Sequence, residues 1–364
     1  MTYNKLPGIY FSETVTSIAT DLDSSDVLTF IVQTSTEISS IDNKLTHFDS
    51  FDAFSTIATD KGLPKTLQFI NDVLAATGHT EFYVYSVKTD TADGFKAAIN
   101  SSSQYEENQK FIYFEETKSA QANGISAKSL SLATACHECY EFGSFRIAYV
   151  VPYGTIMDAV TNKAEGVTNE SAVVTAFTSI LTGSGDSRLV MILPDGYSAM
   201  MSTIINVGYN VDAGYPVVSG DVGTLLFDFT RAQMLTLQNL GVCFLRRERV
   251  NRVDEYHVNL GVTTAFKSNT ADQLLVARSI VDELLRQIKI RVRPFVLDKE
   301  MESNVAFVQT AVDEVVNEFV VNGDVLLAGT VLTVVDAGNM TFNITGSVQT
   351  IKSIVAINVD TTIS

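Results

Sequence analysis

The stretch PKTLQFINDVLAATGHTEFYVYSV, residues 64–87, contains the pattern that decides the fold class. Pro64 suits the first position of a helix, and Gly78 suits the position just after its end. Three apolar residues share one helix face between them: Leu67, Ile70 and Leu74. The run Phe82 to Val87 is rich in aromatic and β-branched residues, which is typical of a strand. The stretch therefore predicts a helix followed directly by a strand.

The same alternation of strands and amphipathic helices extends from about residue 27 to 245. Further strands are predicted at 27–32, 111–114, 145–151 and 189–193, and further helices at 127–141, after Thr168 and around 200–207. Repeated helix and strand units of this kind predict a mixed α/β fold. The chain has 364 residues, more than the ~100 to 200 of a typical domain, so more than one packed unit is expected.

Beyond residue 245 the pattern changes to a short extended segment and two helices. The extended segment is predicted at 258–264. Thr270 and Gln273 have the spacing of a capping box, and the helix that follows has apolar residues at intervals of three and four. A second helix is predicted from about Asn304 to Val321, with Gly323 as its stop. A helical region is therefore expected after the α/β body.

Both ends of the chain have the alternating pattern of strands without obvious partners. A terminal strand needs a sheet edge, and an edge on another chain is a common route to assembly. The pattern also allows both strands to pair within their own chain. The candidate residues for arms between subunits are Gly8, Ile9, Tyr10, Phe11, Val15, Ile354, Val355, Ile357 and Val359.

The charge is unevenly distributed along the chain. The net charge is −17, which disfavours general binding to nucleic acid because most of the surface would repel phosphate. Residues 231–299 nevertheless contain 12 of the 25 basic residues and 7 of the 42 acidic ones, a local net charge of +5. This region predicts contact with an acidic protein partner. The alternative is an intrachain network with Asp282 and Glu283 as partners. The candidate residues for the contact with the partner are Arg246, Arg247, Arg249, Arg252, Arg278 and Arg286.

The composition also limits where the chain works. No apolar run approaches the ~18 residues that a membrane span needs, and residues 1–8 lack the apolar stretch of a signal peptide. We therefore expect synthesis in the cytosol and no membrane insertion. Three cysteines cannot form a disulfide framework, so reduced thiols are expected.

No motif in the sequence predicts a catalytic residue, a cofactor site or a metal site. Cys136-His137-Glu138-Cys139 has zinc-like spacing, but it lies in a predicted helix and lacks a second ligand pair. The glycines of 183–187 are not followed by the Lys-Ser or Lys-Thr of a phosphate loop. The adjacent acids Glu115 and Glu116 are expected to be surface charges that point apart.

Several segments resemble those of contractile tail sheath proteins, which occur in contractile-tailed phages, R-type bacteriocins and related injection systems. Residues 6–13, LPGIYFSE, resemble the family's Pro-Gly-Val-Tyr-x-x-Glu opening. Residues 237–242 resemble its Leu-Asn-x-x-Gly-Val step, and residues 258–264 resemble its Val-x-Gly-x-x-Thr strand. The helices at 275–290 and 305–322 and the segment 352–357 then follow in the family's order. The resemblance covers residues 6–16 and 225–360.

The resemblance implies a structural subunit and no enzyme. It implies four segments: an N-terminal arm at 1–20, an α/β outer domain at 21–225, a sheath core domain at 226–346 and a C-terminal arm at 347–364. The implied partners are further copies of the chain in hexameric rings and a helical polymer, an inner tail tube protein, and baseplate and tail terminator proteins. The implied location is a virion tail or contractile particle assembled in the host bacterial cytoplasm.

The implied mechanism is contraction of a metastable sheath, which drives the tube through a cell envelope without consuming nucleotide. Two other classes stay open from the residues alone: an α/β enzyme with an unrecognised site, and another tail or adhesin assembly module.

Overall fold

A seven-stranded β-sheet is the framework of the chain in its computed structural model. The structure describes residues 16–17, 27–38, 40–88, 90–102, 109–120, 124–141, 144–182, 185–206, 225–250, 253–259, 261–266, 274–295, 305–321, 329–338 and 341–350. The strands in these residues are β1 (Thr16–Ser17), β2 (Val27–Gln33), β3 (Leu45–Phe48), β4 (Phe82–Val87), β5 (Gln109–Phe114), β6 (Arg146–Val151), β7 (Leu189–Ile192), β8 (Val242–Cys243), β9 (Leu245–Val250), β10 (Val253–Val258), β11 (Val331–Gly338), β12 (Thr341–Ser347) and β13 (Gln349–Thr350). The helices are α1 (Phe51–Ala58), α2 (Pro64–Thr77), α3 (Ala92–Asn100), α4 (Gly124–Glu141), α5 (Tyr153–Thr161), α6 (Asn169–Leu181), α7 (Tyr197–Asn206), α8 (Arg231–Asn239), α9 (Leu275–Val292) and α10 (Val305–Val321).

The strands of the large sheet lie in the order β3-β4-β2-β5-β6-β7-β8. All neighbours are parallel except β3, which runs antiparallel to β4 at one edge. Helix α2 packs against α7, and α4 packs against α3 and α6. Strands β5, β6 and β7 are buried at every position, which shows that helices or loops cover both faces of the sheet. The predicted mixed α/β fold class is therefore confirmed.

Local signals in the sequence fix the ends of several helices. Pro64 is the first residue of α2, and Gly78 follows its last residue in the left-handed conformation with φ of 73°. The Thr168 side chain accepts a hydrogen bond from the backbone N–H of Ser171 at the start of α6. Thr230 and Gln233 form a reciprocal capping box at the start of α8. Helices α6 and α8 therefore begin where a threonine side chain accepts a hydrogen bond from a free N–H group of the first turn.

The hydrophobic core of the α/β body continues past residue 225. Helix α8 leads into β8, which is the edge strand of the large sheet. One continuous cluster of buried apolar side chains extends from Leu28 to Leu275. The first part of the segment 226–346 therefore packs with the α/β body, because β8 is a strand of the large sheet and the buried cluster extends to Leu275.

A second core lies in the C-terminal part of the chain. Helices α9 and α10 pack against each other, and α10 packs against the antiparallel hairpin β11–β12. The buried side chains of this second core include Ile280, Leu284, Ile288, Val308, Val312, Val315, Phe319, Leu332 and Val334. The two helices that the sequence predicts after the body are both present.

One prediction differs from the structure in this region. The predicted extended segment 258–264 is a strand only up to Val258, and the residues that follow form a loop in which Val262 bridges to Leu274. After Val258 the chain leaves β9, because the buried Asn259 attaches it through its side chain to the backbone of Val242 and Phe244 at the β8 edge. The predicted capping box at Thr270 and Gln273 lies outside the described residues, and α9 begins after Leu274.

In the described part of the chain, no helix combines the length and the apolar character that a membrane span requires.

Candidate functional site

The C-terminal hairpin is the first candidate for an assembly surface. Leu332 and Val334 of β11 are buried against α10, whereas Val331 and Val335 are 59% and 49% exposed on the opposite face. Among the described residues, β11 and β12 form a sheet of only two strands. A two-stranded ribbon has an outer edge on each strand, and such edges can accept another strand.

The bases of the two predicted arms lie side by side. Thr16 and Ser17 of β1 pair in parallel with Gln349 and Thr350 of β13. The residues predicted to link subunits lie outside the described residues: Gly8, Ile9, Tyr10, Phe11, Val15, Ile354, Val355, Ile357 and Val359. The described residues nearest to the two predicted arms therefore pair with each other, directly after β12 in the chain.

The basic stretch predicted to face a partner forms the hairpin β9–β10. Arg247 is exposed on β9, and Arg246 beside it is half-buried. The backbone of Arg249 pairs with that of Asp254 across the hairpin. Arg252 lies outside the described residues. The hairpin thus presents at least Arg247 to solvent.

Arg278 and Arg286 have intrachain partners on α9. The buried Arg278 donates from Nε and Nη2 to Asp282 Oδ1 at 3.1 and 2.8 Å. The half-buried Arg286 donates to both carboxylate oxygens of Glu283 at 2.7 and 2.6 Å. Both side chains have the geometry of the intrachain alternative, and Arg278 in particular is placed in the core and not on a partner-facing surface.

A buried ionic network joins the α/β body to α9. Arg188, which directly precedes β7, donates from both terminal nitrogens to Asp282 at 2.8 and 2.9 Å. The Tyr140 ring lies against both guanidinium groups, with the Arg188 and Arg278 carbons 4.3 and 5.7 Å from the ring centre. Apolar contacts among Tyr140, Phe145, Val281 and Leu285 surround the network.

The charges in this network stabilise one another. Burial alone would raise the pKa of Asp282, but the guanidinium groups of Arg188 and Arg278 outweigh burial and hold that pKa below its ordinary value. A carboxylate between two guanidinium groups remains ionised at neutral pH. The α/β body and the C-terminal core are therefore connected by directed bonds as well as by apolar packing.

Two of the sequence segments that resemble sheath proteins meet at the β8 edge of the sheet. The Asn259 side chain donates to Val242 O and accepts from Phe244 N–H, both at 3.0 Å. The Cys243 thiol donates to Val262 O, and Thr264 N–H donates to Leu189 O on β7. The segments 237–242 and 258–264 are thus parts of one interlocked edge.

The carboxyl end of β5 contains polar residues whose placement the sequence did not reveal. The prediction of a surface position for Glu115 is wrong, because Glu115 is fully buried and accepts hydrogen bonds from the backbone and hydroxyl of Thr155 at the start of α5. Glu116 accepts from the backbone N–H groups of Lys65 and Thr66 at the start of α2. The two carboxylates do point apart, as expected, and each satisfies the first turn of a different helix.

A buried lysine completes this end of the sheet. Lys128 of α4 donates to Gln33 Oε1 at 2.7 Å and forms an ion pair with Asp90 at 2.5 Å, next to the Tyr113 hydroxyl. Ligands of open α/β sheets usually bind at the carboxyl ends of the strands. Here the polar side chains at that position bind helix ends and connecting loops of the same chain, which is a structural use of such groups.

The cysteines are buried within helices and strands. Cys136 and Cys139 lie in α4, and all three cysteines are free thiols. Burial raises the pKa of Cys136 and Cys139 and raises that of Cys243 to about 12. The thiolate form that metals and electrophiles require is therefore disfavoured. Within the described residues, no three His, Cys, Asp or Glu side chains are grouped as metal ligands.

Comparison with known proteins identifies the fold. No protein-family model matches the chain, and no curated protein matches it in sequence. Among solved structures, a chain of the anti-feeding prophage (AFP) helical sheath in the contracted state matches with a TM-score of 0.62 at 15% identity, covering 99% of both chains. A chain of the AFP baseplate matches with a TM-score of 0.62 at 14% identity, covering all of both chains. A chain of the contracted PVC sheath complex, from an extracellular contractile injection system, matches with a TM-score of 0.62 at 11% identity, covering 100% of this chain and 98% of that one. The chain therefore has the fold of the sheath and baseplate proteins of contractile injection systems.

Proposed function

We propose that this chain is the structural subunit of a contractile sheath, which stacks as hexameric rings around an inner tube and contracts to drive that tube through a cell envelope. The observation that carries the proposal is the full-length likeness of its fold to chains of two contracted sheaths. The pairing of β1 with β13, next to the hairpin β11–β12 in the chain, would place the bases of two linking arms together.

The work of contraction comes, in this proposal, from contacts between subunits that improve between two packings. A two-state polymer needs only a modest free-energy difference in each subunit, because the differences add over many rings. The buried Arg188–Asp282 connection would keep each subunit rigid while its neighbours reorient. No nucleotide is needed for such a transition.

The termini would supply the links between subunits. The strand pattern at 8–16 and 353–360 predicts pairing with a sheet edge, and the hairpin β11–β12, which directly precedes β13, would offer an outer edge. Main-chain hydrogen bonds would form the link, and Val355, Ile357 and Val359 would give it specificity.

Deletion of residues 351–364 tests this link. We expect the truncated chain to lose polymerisation and to keep cooperative unfolding, because every described element precedes the cut. Sedimentation measures the polymer, and circular dichroism during urea unfolding measures the fold. Deletion of 361–364 alone is the matched control, and this chain should still polymerise. Global unfolding of the chain that ends at residue 350 would show that the C-terminal strand belongs to its own core.

The basic hairpin β9–β10 would face an acidic inner tube. The candidate residues for this tube contact are Arg246, Arg247, Arg249 and Arg252. Arg278 and Arg286 on α9 are paired with Asp282 and Glu283, so they would contribute to the contact only through these pairs. Complementary charge would fix the register of tube and sheath while each exposed contact remains weak enough to let the tube slide.

Charge reversal at the hairpin tests the tube contact. We expect Arg247→Glu to weaken assembly of the sheath on its tube at low salt, with the deficit shrinking as salt rises, since exposed charges are screened. Lys44→Glu is the control, because it makes the same charge change at an exposed site on the body. Equal co-sedimentation with tube for both variants at every salt concentration would refute the assignment.

The remaining partners follow from the same proposal. Copies of this chain, an inner tube protein, a baseplate and a tail terminator would surround the subunit in a virion tail or contractile particle assembled in the host bacterial cytoplasm. The likeness to a chain of a baseplate structure supports contact with a baseplate.

A further inference from the structure

Gln309 occupies the outer edge of β11 in the C-terminal hairpin. Its carboxamide donates from Nε2 to Leu332 O at 2.9 Å and accepts at Oε1 from Val334 N–H at 2.7 Å. These two backbone groups are the ones through which a strand added beside β11 would bind. The side chain therefore makes the hydrogen bonds that the backbone of a neighbouring strand would otherwise make.

The orientation of this carboxamide is fixed from a third direction. Gln309 Nε2 also donates to Asp313 Oδ1, one turn further along α10, at 2.8 Å. Because a carboxylate only accepts hydrogen bonds, Asp313 holds the NH2 group on the side that faces Leu332 O. Gln309 thus has donor and acceptor in the order that the edge of β11 requires.

The other edge of the hairpin is formed by outward-pointing backbone groups of β12. Alternation along an antiparallel pair directs the backbone groups of Leu332 and Val334 away from β12, and those of Ile344 and Gly346 opposite them away from β11. Ile344 is half-buried on the apolar face that packs on the second core, and Ser347 at the end of β12 leads within three residues to Thr350, where the described chain ends.

We propose that Gln309 closes the β11 edge of the hairpin, so that an arm strand from a second copy of this chain adds at β12 beside Ile344 and Gly346. The proposal rests on the proposed function, since it assigns the acceptor edge for the arms. A hairpin with one closed edge accepts strands from one side only. It also cannot join a second hairpin through β11, which protects the subunit from uncontrolled edge-to-edge association.

Amide hydrogen exchange of the full chain, before and after polymerisation, tests this assignment. In unassembled protein, the Val334 amide should exchange slowly and the Ile344 and Gly346 amides fast. Polymerisation should slow exchange at Ile344 and Gly346 and leave Val334 unchanged. Protection gained at Val334, with none at Ile344 and Gly346, would overturn the assignment.

Two variants test whether Gln309 closes the β11 edge, independently of whether the chain assembles. Gln309→Ala should speed exchange of the Val334 amide in unassembled protein roughly ten-fold, because it loses its acceptor. Gln68→Ala is the control, since Gln68 bonds to Asp72 one turn on within α2 at 2.6 Å as Gln309 does to Asp313. If no polymer forms, the proposed function fails, and the closed edge is still judged in the unassembled protein. If the Val334 amide exchanges equally fast in wild type and in Gln309→Ala, the β11 edge is not closed by Gln309. If its exchange is slow in wild type and in Gln68→Ala but fast in Gln309→Ala, the closed edge is supported.

Discussion

Gly241 shows how a single residue allows two distant segments to interlock. It follows α8 with φ of 76°, in the left-handed region that favours glycine. A Cβ atom added there would lie 2.4 Å from Thr263 O and 2.7 Å from Thr264 Cα. The residue is therefore restricted twice, by its own backbone and by the loop that crosses it. This contact joins the two segments at the β8 edge.

The two restrictions can be separated by comparing two glycines. Gly78 has a similar φ of 73°, but nothing lies within 4 Å of its added Cβ. We expect Gly78→Ala to cost about 1–2 kcal/mol for the left-handed backbone. Gly241→Ala should cost a further ~1–3 kcal/mol, because the 263–264 backbone must move. Urea unfolding of both variants measures the difference, and equal losses would show that the loop yields without cost.

Glu115 and Asn259 mark what could not be predicted at the residue scale. Both lie directly after a strand, where polar residues usually face solvent. Their burial depends on helix α5 and on the β8 edge, which come near them only in the folded chain. Burial raises the pKa of Glu115, and its bonds from Thr155 oppose that rise. A pattern read along the chain does not contain such contacts.

Helix α9 connects the two cores with its opposite sides. Ile280, Leu284 and Ile288 pack in the second core, whereas Asp282 receives the bidentate bond of Arg188 from the body. The apolar spacing of this helix could be predicted from the sequence. The pair of Asp282 with Arg278 was one of the alternatives that the sequence left open. The pair with Arg188 could not be predicted, because Arg188 is 94 residues away.

Removal of the Asp282 carboxylate should destabilise the whole fold. Asp282→Ala leaves two buried guanidinium groups without their counter-ion, and breaking a buried ion pair typically costs about 3–5 kcal/mol. Glu318→Ala removes an exposed partner of Arg291 and should cost less than about 1 kcal/mol. Urea unfolding compares the two, and similar midpoints would contradict a stabilising function of the network.

The same carboxylate predicts a dependence on pH. The pKa of Asp282 is lower in the folded chain than its ordinary value of 3.8, so its stabilisation is complete above that value and is lost as the pH falls through the folded pKa. Wild type should therefore lose more stability than Asp282→Asn between pH 6 and pH 3. Asp90 and Asp186, whose pKa values are also lowered, remain in both chains and cancel in the comparison. Parallel curves of unfolding free energy against pH would refute this prediction.

Elements with a strong local signal could be predicted, and elements defined by packing could not. The bounds of β4 agree with the prediction at both ends, and α2 begins and ends at its proline and glycine. Strand β8 has only two residues and exists because it continues the sheet beside β7. The hairpin β11–β12 depends likewise on its contact with α10.

For the molecule as a whole, the class of fold could be predicted from the sequence, and the structure shows that the chain is divided into two cores. The body, with one core from Leu28 to Leu275, and the smaller C-terminal core each have their own apolar cluster. The described residues next to the two predicted arms are β1 and β13, which form a separate small pair. In the proposed sheath, the two cores would form the rigid part of each subunit, and the predicted arms would form its links to neighbours.

Negative-stain electron microscopy of the purified full-length chain shows directly whether this protein is a sheath subunit. A sheath subunit should form rings with six-fold symmetry, tubes or long polysheaths, because its arms join each copy to others in an open helical arrangement. We predict such particles without any added nucleotide. A population of small closed oligomers or monomers alone, under conditions where the chain is folded, would contradict it.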